Sequence, residues 1–87
     1  MKQIWIQKAG PPEVLRLQDA PDPIPHSGEV RIRVEAAGVN FVDVLGRMGI
    51  YSDAPRFPYV PGFEVSGQID LIGQGVPDFR EGESVFA

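Results

Sequence analysis

Ten glycines and nine prolines are spread along the 87 residues, and this punctuation constrains the fold more than any other feature. Proline removes a backbone donor and fixes φ, and glycine disfavours helix, so no uninterrupted run is long enough for a helical bundle. What remains between the breaks is short and mostly alternating, the pattern of strands separated by turns.

Residues 2–8 place Ile4 and Ile6 on one side and Gln3, Trp5 and Gln7 on the other, which predicts a strand. Gly10-Pro11-Pro12 ends it. Residues 14–18 alternate Leu15 and Leu17 against Arg16 and Gln18, and the two runs are expected to pair as a hairpin with a longer loop. Residues 20–28, APDPIPHSG, cannot donate a regular ladder and read as loop. They hold His26, the only histidine, which is expected to be solvated and is given no role. Residues 29–37 are the clearest strand, with Val30, Ile32, Val34 and Ala36 on an apolar face. The charges opposite, Glu29, Arg31, Arg33 and Glu35, are expected to form a solvated face. Residues 63–72 return to strand, with Phe63, Val65, Gly67, Ile69 and Leu71 sharing one face. Gly67 in mid-strand predicts a bulge or a close backbone approach. Gly73, Gly75 and Pro77-Asp78 mark a turn region, and residues 84–87 begin a last strand.

One stretch departs from this alternation. Asn40-Phe41-Val42-Asp43 matches a helix start, with Asn40 as N-cap and Asp43 completing a variant capping box. Phe41, Val44, Leu45 and Met48 then follow the spacing of one buried helical face, and Gly49 is expected to end the helix. A proline-rich loop over residues 50–61 follows, carrying Tyr51, Phe57 and Tyr59.

Composition excludes several functions. With a formal charge of −4 and a pI near 4.7, the chain lacks the basic face that nucleic-acid binding needs. It has no cysteine, hence no disulfide, Cys-based zinc, haem or iron–sulfur site. No apolar run reaches the length of a signal peptide or a membrane span, so a soluble, cytoplasmic domain is expected. Gly73-x-Gly75 lacks the third glycine and the following helix of a dinucleotide fingerprint. No phosphate-binding loop or nucleophile elbow occurs, and a single loop histidine supports no Ser-His relay. Asp43 and Glu64 would serve as a carboxylate pair, but a helix cap plus a strand carboxylate is the simpler reading. The residues taken alone therefore give a small, mainly β domain built as a partial barrel with one short helix, about 40–48.

A longer pattern goes further. Ala36-Ala37-Gly38-Val39-Asn40-Phe41-Val42-Asp43 is followed by Arg47-x-Gly49-x-Tyr51 and Pro58-x-x-Pro61-Gly62-x-Glu64-x-x-Gly67. Gly73-x-Gly75-Val76-x-x-Phe79-x-x-Gly82-Glu83-x-Val85 completes it. Over essentially the whole chain this resembles the N-terminal GroES-like domain of the medium-chain dehydrogenases/reductases, and within them the zinc-independent quinone oxidoreductases and their vesicle-protein relatives. Zinc alcohol dehydrogenases of that superfamily carry Cys at the position of Asn40 and a His-Glu pair where this chain reads Phe63-Glu64. An amide and a phenyl ring do not replace a thiolate and an imidazole, so no zinc is expected.

The resemblance implies an NADPH-dependent oxidoreductase that passes hydride to a quinone or an activated alkene. Asn40 matches an active-site amide close to nicotinamide and substrate, so it is both the catalytic and the cofactor-binding candidate; the N-cap reading stands beside this one. Tyr51 and Leu45 match positions bordering the substrate pocket, and some quinone reductases carry Tyr at the position of Leu45. Tyr51 equally reads as a loop aromatic covering the core. Asp43, Arg47 and Glu64 match the motif as structural supports. The resemblance also implies that residues 1–87 are an incomplete, truncated substrate-side domain, that the Rossmann cofactor domain lies outside them, and that the fragment alone is inactive. A small-molecule partner and a homodimer are expected. The alternatives are a non-catalytic interaction module of the vesicle-protein branch and an enoyl reductase.

Overall fold

The computed structural model describes residues 1–87. It is mainly β, with five strands and one α-helix, and no sheet closes into a barrel. The chain divides into two compact units, Met1–Pro21 with Val39–Phe63, and Asp22–Gly38 with Glu64–Ala87.

In the first unit, β1 (Lys2–Ile6) and β2 (Leu15–Asp19) form an antiparallel pair in which Ile4 faces Leu17 and Ile6 faces Leu15. A single 3-10 turn at Pro12–Val14 joins them, opened by prolines that have no N–H to leave unsatisfied. Ile6 is 1% exposed and Val14 is also buried, and these two carry the small core of this unit. β2 differs from the expected half-buried strand, because Leu15 and Leu17 both remain exposed. Ile6 and Leu15 oppose each other on one face, yet burial is confined to Ile6 and Val14, and Ile4, Leu15 and Leu17 along that same face stay exposed.

The unit continues with α1 (Phe41–Met48), capped by Asn40 and stopped by Gly49 at φ 77°. A left-handed residue at this place favours glycine, and Gly49 N–H closes the last turn onto Gly46. The expected buried face is wrong in part. Phe41 is 74% exposed and Met48 is exposed too, while Gly46 is the buried helical residue, with Val42 and Asp43 half-buried beside it. Residues 42, 43 and 46 share a helical face, and that face receives the side chain of Tyr59. The loop that carries Tyr59 is tied back to β1: Ile6 N–H donates to the Tyr59 carbonyl at 2.9 Å, and Tyr59 N–H donates to the Ile6 carbonyl at 3.2 Å.

The second unit is a three-stranded antiparallel sheet, β3 (Val30–Ala37), β4 (Val65–Ile72) and β5 (Ser84–Phe86), with β4 in the middle. Ile69 on the central strand is its buried anchor, 1% exposed. Two irregularities interrupt β3 and β4. Arg31 opposes Leu71 while Ile32 opposes Ile69, and Val34 opposes Gly67 while Ala36 opposes Ser66. Asp70 and Glu35 are thus the extra residues of two bulges. Gly67 fulfils both expectations for it, since it adjoins a bulge and a Cβ there would collide with the Arg33 carbonyl oxygen.

The charged side of β3 is not simply solvated. Arg31 Nε donates to Asp70 Oδ1 at 2.8 Å and the Arg33 guanidinium donates to Gln68 Oε1 at 3.0 Å. Asp70 holds the Arg31 proton above its ordinary range, through that hydrogen bond first. Val34, expected on the apolar face, is 49% exposed: it pairs in register after Ile32, but the residue opposite it is Gly67, which has no side chain to cover it. Phe63 precedes β4, is exposed, and belongs to the first unit.

Candidate functional site

The site begins at the start of α1. Asn40 is extended at φ −112°, ψ 159°, and its N–H donates to Asp43 Oδ2 at 2.8 Å. Asp43 N–H donates to the Asn40 carbonyl at 3.0 Å. The exchange satisfies donors that a helix start leaves open, and it places a carboxylate in the first turn, where the helix dipole favours negative charge. One oxygen is thereby used; the other, Oδ1, is buried without a hydrogen-bond partner.

One turn later, Gly46 is the position the helix needs to be small. A Cβ there would collide with the Tyr59 hydroxyl oxygen. The Tyr59 ring also leans on Phe57, with centroids 5.6 Å apart and a 38° tilt. Burial raises the Tyr59 phenol above its ordinary pKa, and the Asp43 carboxylate adds to the shift. The group stays protonated at neutral pH.

Between this helical face and the loop lies an open cleft of about 270 Å³. Tyr51, Tyr59, Phe63 and Val42 supply its aromatic and apolar walls, and Asp43 and Asp53 its charges. Tyr51 and Phe63 meet edge to face at 6.4 Å, with their planes 75° apart. The arrangement suits a small, flat, weakly polar molecule.

The expected site residues are placed as follows. Asp43 and Tyr51 both line the cleft, whereas Asn40 and Leu45 belong to the same helix segment and are not among its lining residues. Arg47 borders a separate hollow with Gly10, Pro11, Pro12 and Met48; its Nε is buried without a partner, and its carbonyl accepts from Gly10 N–H at 3.0 Å. Glu64 lies in the second unit, where its carbonyl accepts from Gly38 N–H at 3.2 Å and its carboxylate fills the space a Cβ on Gly38 would need. Sequence reasoning missed Tyr59, Phe63 and Gly46 as cleft residues. The one available signal was a glycine inside a helical pattern, which implies close packing by something.

No group of three or more His, Cys, Asp or Glu side chains is gathered as metal ligands would be. The cleft is also no diphosphate site, in keeping with the expectation that a dinucleotide is held chiefly outside these residues. The charged side chains of the cleft are carboxylates, with no basic group among its lining to meet a diphosphate.

Comparison with known proteins places the chain in a family. Residues 26–87 match the alcohol dehydrogenase GroES-like domain family. A quinone oxidoreductase from Lama guanicoe is 47% identical over 87 residues, covering 99% of this chain and 26% of that protein. The crystal structure of a human synaptic vesicle membrane protein VAT-1 homolog-like protein superposes with a TM-score of 0.96 at 38% identity, over 100% of this chain and 28% of that one. An Escherichia coli quinone oxidoreductase, solved in complex with NADPH, gives a TM-score of 0.93 at 31% identity, over 99% and 26% of the respective chains. The chain thus spans about a quarter of the length of these relatives. It belongs to the alcohol dehydrogenase GroES-like domain family of the medium-chain dehydrogenases/reductases.

Proposed function

We propose that residues 1–87 are the substrate-side domain of a zinc-independent, NADPH-dependent reductase that acts on quinones or activated alkenes. The observation that carries this reading is the aromatic cleft of Tyr51, Tyr59 and Phe63 in a chain of this family. Its walls match a flat conjugated acceptor, and the quinone oxidoreductases among its relatives support the same chemistry.

A nicotinamide, held by a Rossmann domain outside these residues, would supply the hydride. This chain's own task is to orient the acceptor and stabilise the negative charge that develops on its oxygen. Hydrogen-bond donors take the place of a Lewis acid, because Asn40 and Phe63 stand where zinc-dependent relatives carry ligands. Asn40 is the candidate amide, at the helix start that adjoins the cleft wall. Tyr51 and Leu45 are the proposed substrate contacts, and Asp43, Arg47 and Glu64 support the backbone around them. The same reading includes a cytoplasmic homodimer and an 87-residue chain that is inactive by itself. No helix is long and apolar enough to cross a membrane.

The likeness to the VAT-1 homolog-like structure favours one second reading, a non-catalytic interaction module. Titration of the intact protein with NADPH, followed by assays with quinones and enoyl thioesters, separates the possibilities. Binding with quinone turnover is the expected result. Turnover confined to enoyl thioesters makes the protein an enoyl reductase, and failure to bind NADPH leaves the interaction module. Asn40→Ala in the intact protein is expected to lower turnover by more than about tenfold; unchanged kinetics remove Asn40 from the site.

A further inference from the structure

We propose that the Tyr59 hydroxyl is the hydrogen-bond donor that receives the carbonyl oxygen of a conjugated acceptor in the cleft. The proposal rests on the acceptor-binding reading above and adds a residue that the motif comparison does not single out.

Three observations meet at Tyr59. Its backbone is held at both polar groups by Ile6, at 2.9 and 3.2 Å. Its hydroxyl end is seated against Gly46, where the helix offers no side chain to displace it. Its side chain lines the same cleft as Tyr51 and Phe63. Root and tip are therefore both fixed before any ligand arrives. A donor held in this way loses little freedom on binding and needs no reorganisation as charge develops.

The surrounding charge sets the polarity of the contact. Asp43 and Asp53 also line the cleft, and a carboxylate repels a carbonyl oxygen instead of receiving it. The ligand oxygen is thus directed to a hydroxyl. Burial and the nearby Asp43 keep the Tyr59 proton in place, so the hydroxyl remains a donor at neutral pH. Tyr51 also lines the cleft, but it is set edge-on against Phe63, where it serves as an aromatic wall.

The test uses the full-length protein without nicotinamide cofactor, so that binding is separated from turnover. Duroquinone, which has no free ring position for side reactions, is titrated calorimetrically into the unmodified protein and into Tyr59→Phe. The carbonyl stretch of the bound quinone is recorded by infrared difference spectroscopy. The expected result is about a fivefold to tenfold weaker Kd for Tyr59→Phe, the worth of one hydrogen bond. The carbonyl band, shifted down in the unmodified protein, should return toward its free position in the variant. Equal affinities with an unshifted band overturn the role of Tyr59 and leave the acceptor reading standing. Weaker binding with the band still shifted makes Tyr59 a packing residue and also overturns the proposal. If the unmodified protein binds no quinone, both readings fall together.

Discussion

The hydroxyl of Tyr59 occupies the place where a side chain on Gly46 would put its first carbon. A residue from the proline-rich loop and a residue of the short helix are thus fitted to each other, and the cleft takes its shape from that fit. Alanine is favoured over glycine inside an ordinary helix by about 1 kcal/mol. Here the gain is opposed by a collision with the phenol oxygen, so Gly46→Ala is expected to destabilise the chain and to push Tyr59 out of place. With Tyr59→Phe in the background, the nearest remaining ring atom lies 3.7 Å from the new carbon, ordinary contact distance. The penalty should then disappear. Urea denaturation of the two single variants and the double variant checks this, and additive effects would contradict the fit.

The phenol of Tyr59 makes stability depend on alkaline pH. Its pKa is raised in the folded chain above the ordinary value of 10.0, so the unfolded chain gives up this proton first. The contribution is fully present below that ordinary value and is lost as pH rises through the folded value. Tyr59→Phe should therefore flatten the loss of stability at high pH while changing little near neutrality. Thermal melts at a series of pH values, run on both proteins, test the sign.

Asp43 is tied to both the helix and the cleft. Asp43→Ala removes the acceptor of the Asn40 N–H and the negative charge from the first turn, for an expected cost of about 1 kcal/mol. Asp43→Asn keeps an acceptor and should cost less. In both variants the Tyr59 phenol is expected to titrate at lower pH than in the unmodified chain, because its neighbouring carboxylate charge is gone. Chemical denaturation gives the first quantity and phenolate absorbance the second.

In the second unit, Gly67 faces the Arg33 carbonyl on the neighbouring strand. Gly67→Ala forces two backbones apart beside a bulge, and an overpacking cost of about 1–3 kcal/mol is expected. A lowered urea midpoint with an unchanged slope would be the signature. Gly82→Ala is an instructive comparison: its φ of 86° makes alanine strained there, although no atom lies within 4 Å of the added carbon.

The local grammar of the chain was legible from its residues. The strands, the capped helix stopped by Gly49, and the irregularity at Gly67 all follow from alternation, capping chemistry and glycine's freedom at positive φ or close approach. The family pattern was legible for the same reason, since it is carried by those turn and cap residues.

Tertiary structure alone decided which faces those elements bury. The spacing of Phe41, Val44, Leu45 and Met48 pointed to one helical stripe, yet the buried helical position is Gly46, because Tyr59 arrives from a loop 13 residues later and is anchored on β1 through Ile6. The alternation of β3 predicted a buried Val34, but the residue opposite it on β4 is Gly67, which offers no side chain, and Val34 stays exposed. Periodicity reports what a segment can offer. Which offer is taken depends on a partner distant in sequence, and for the cleft that partner is Tyr59.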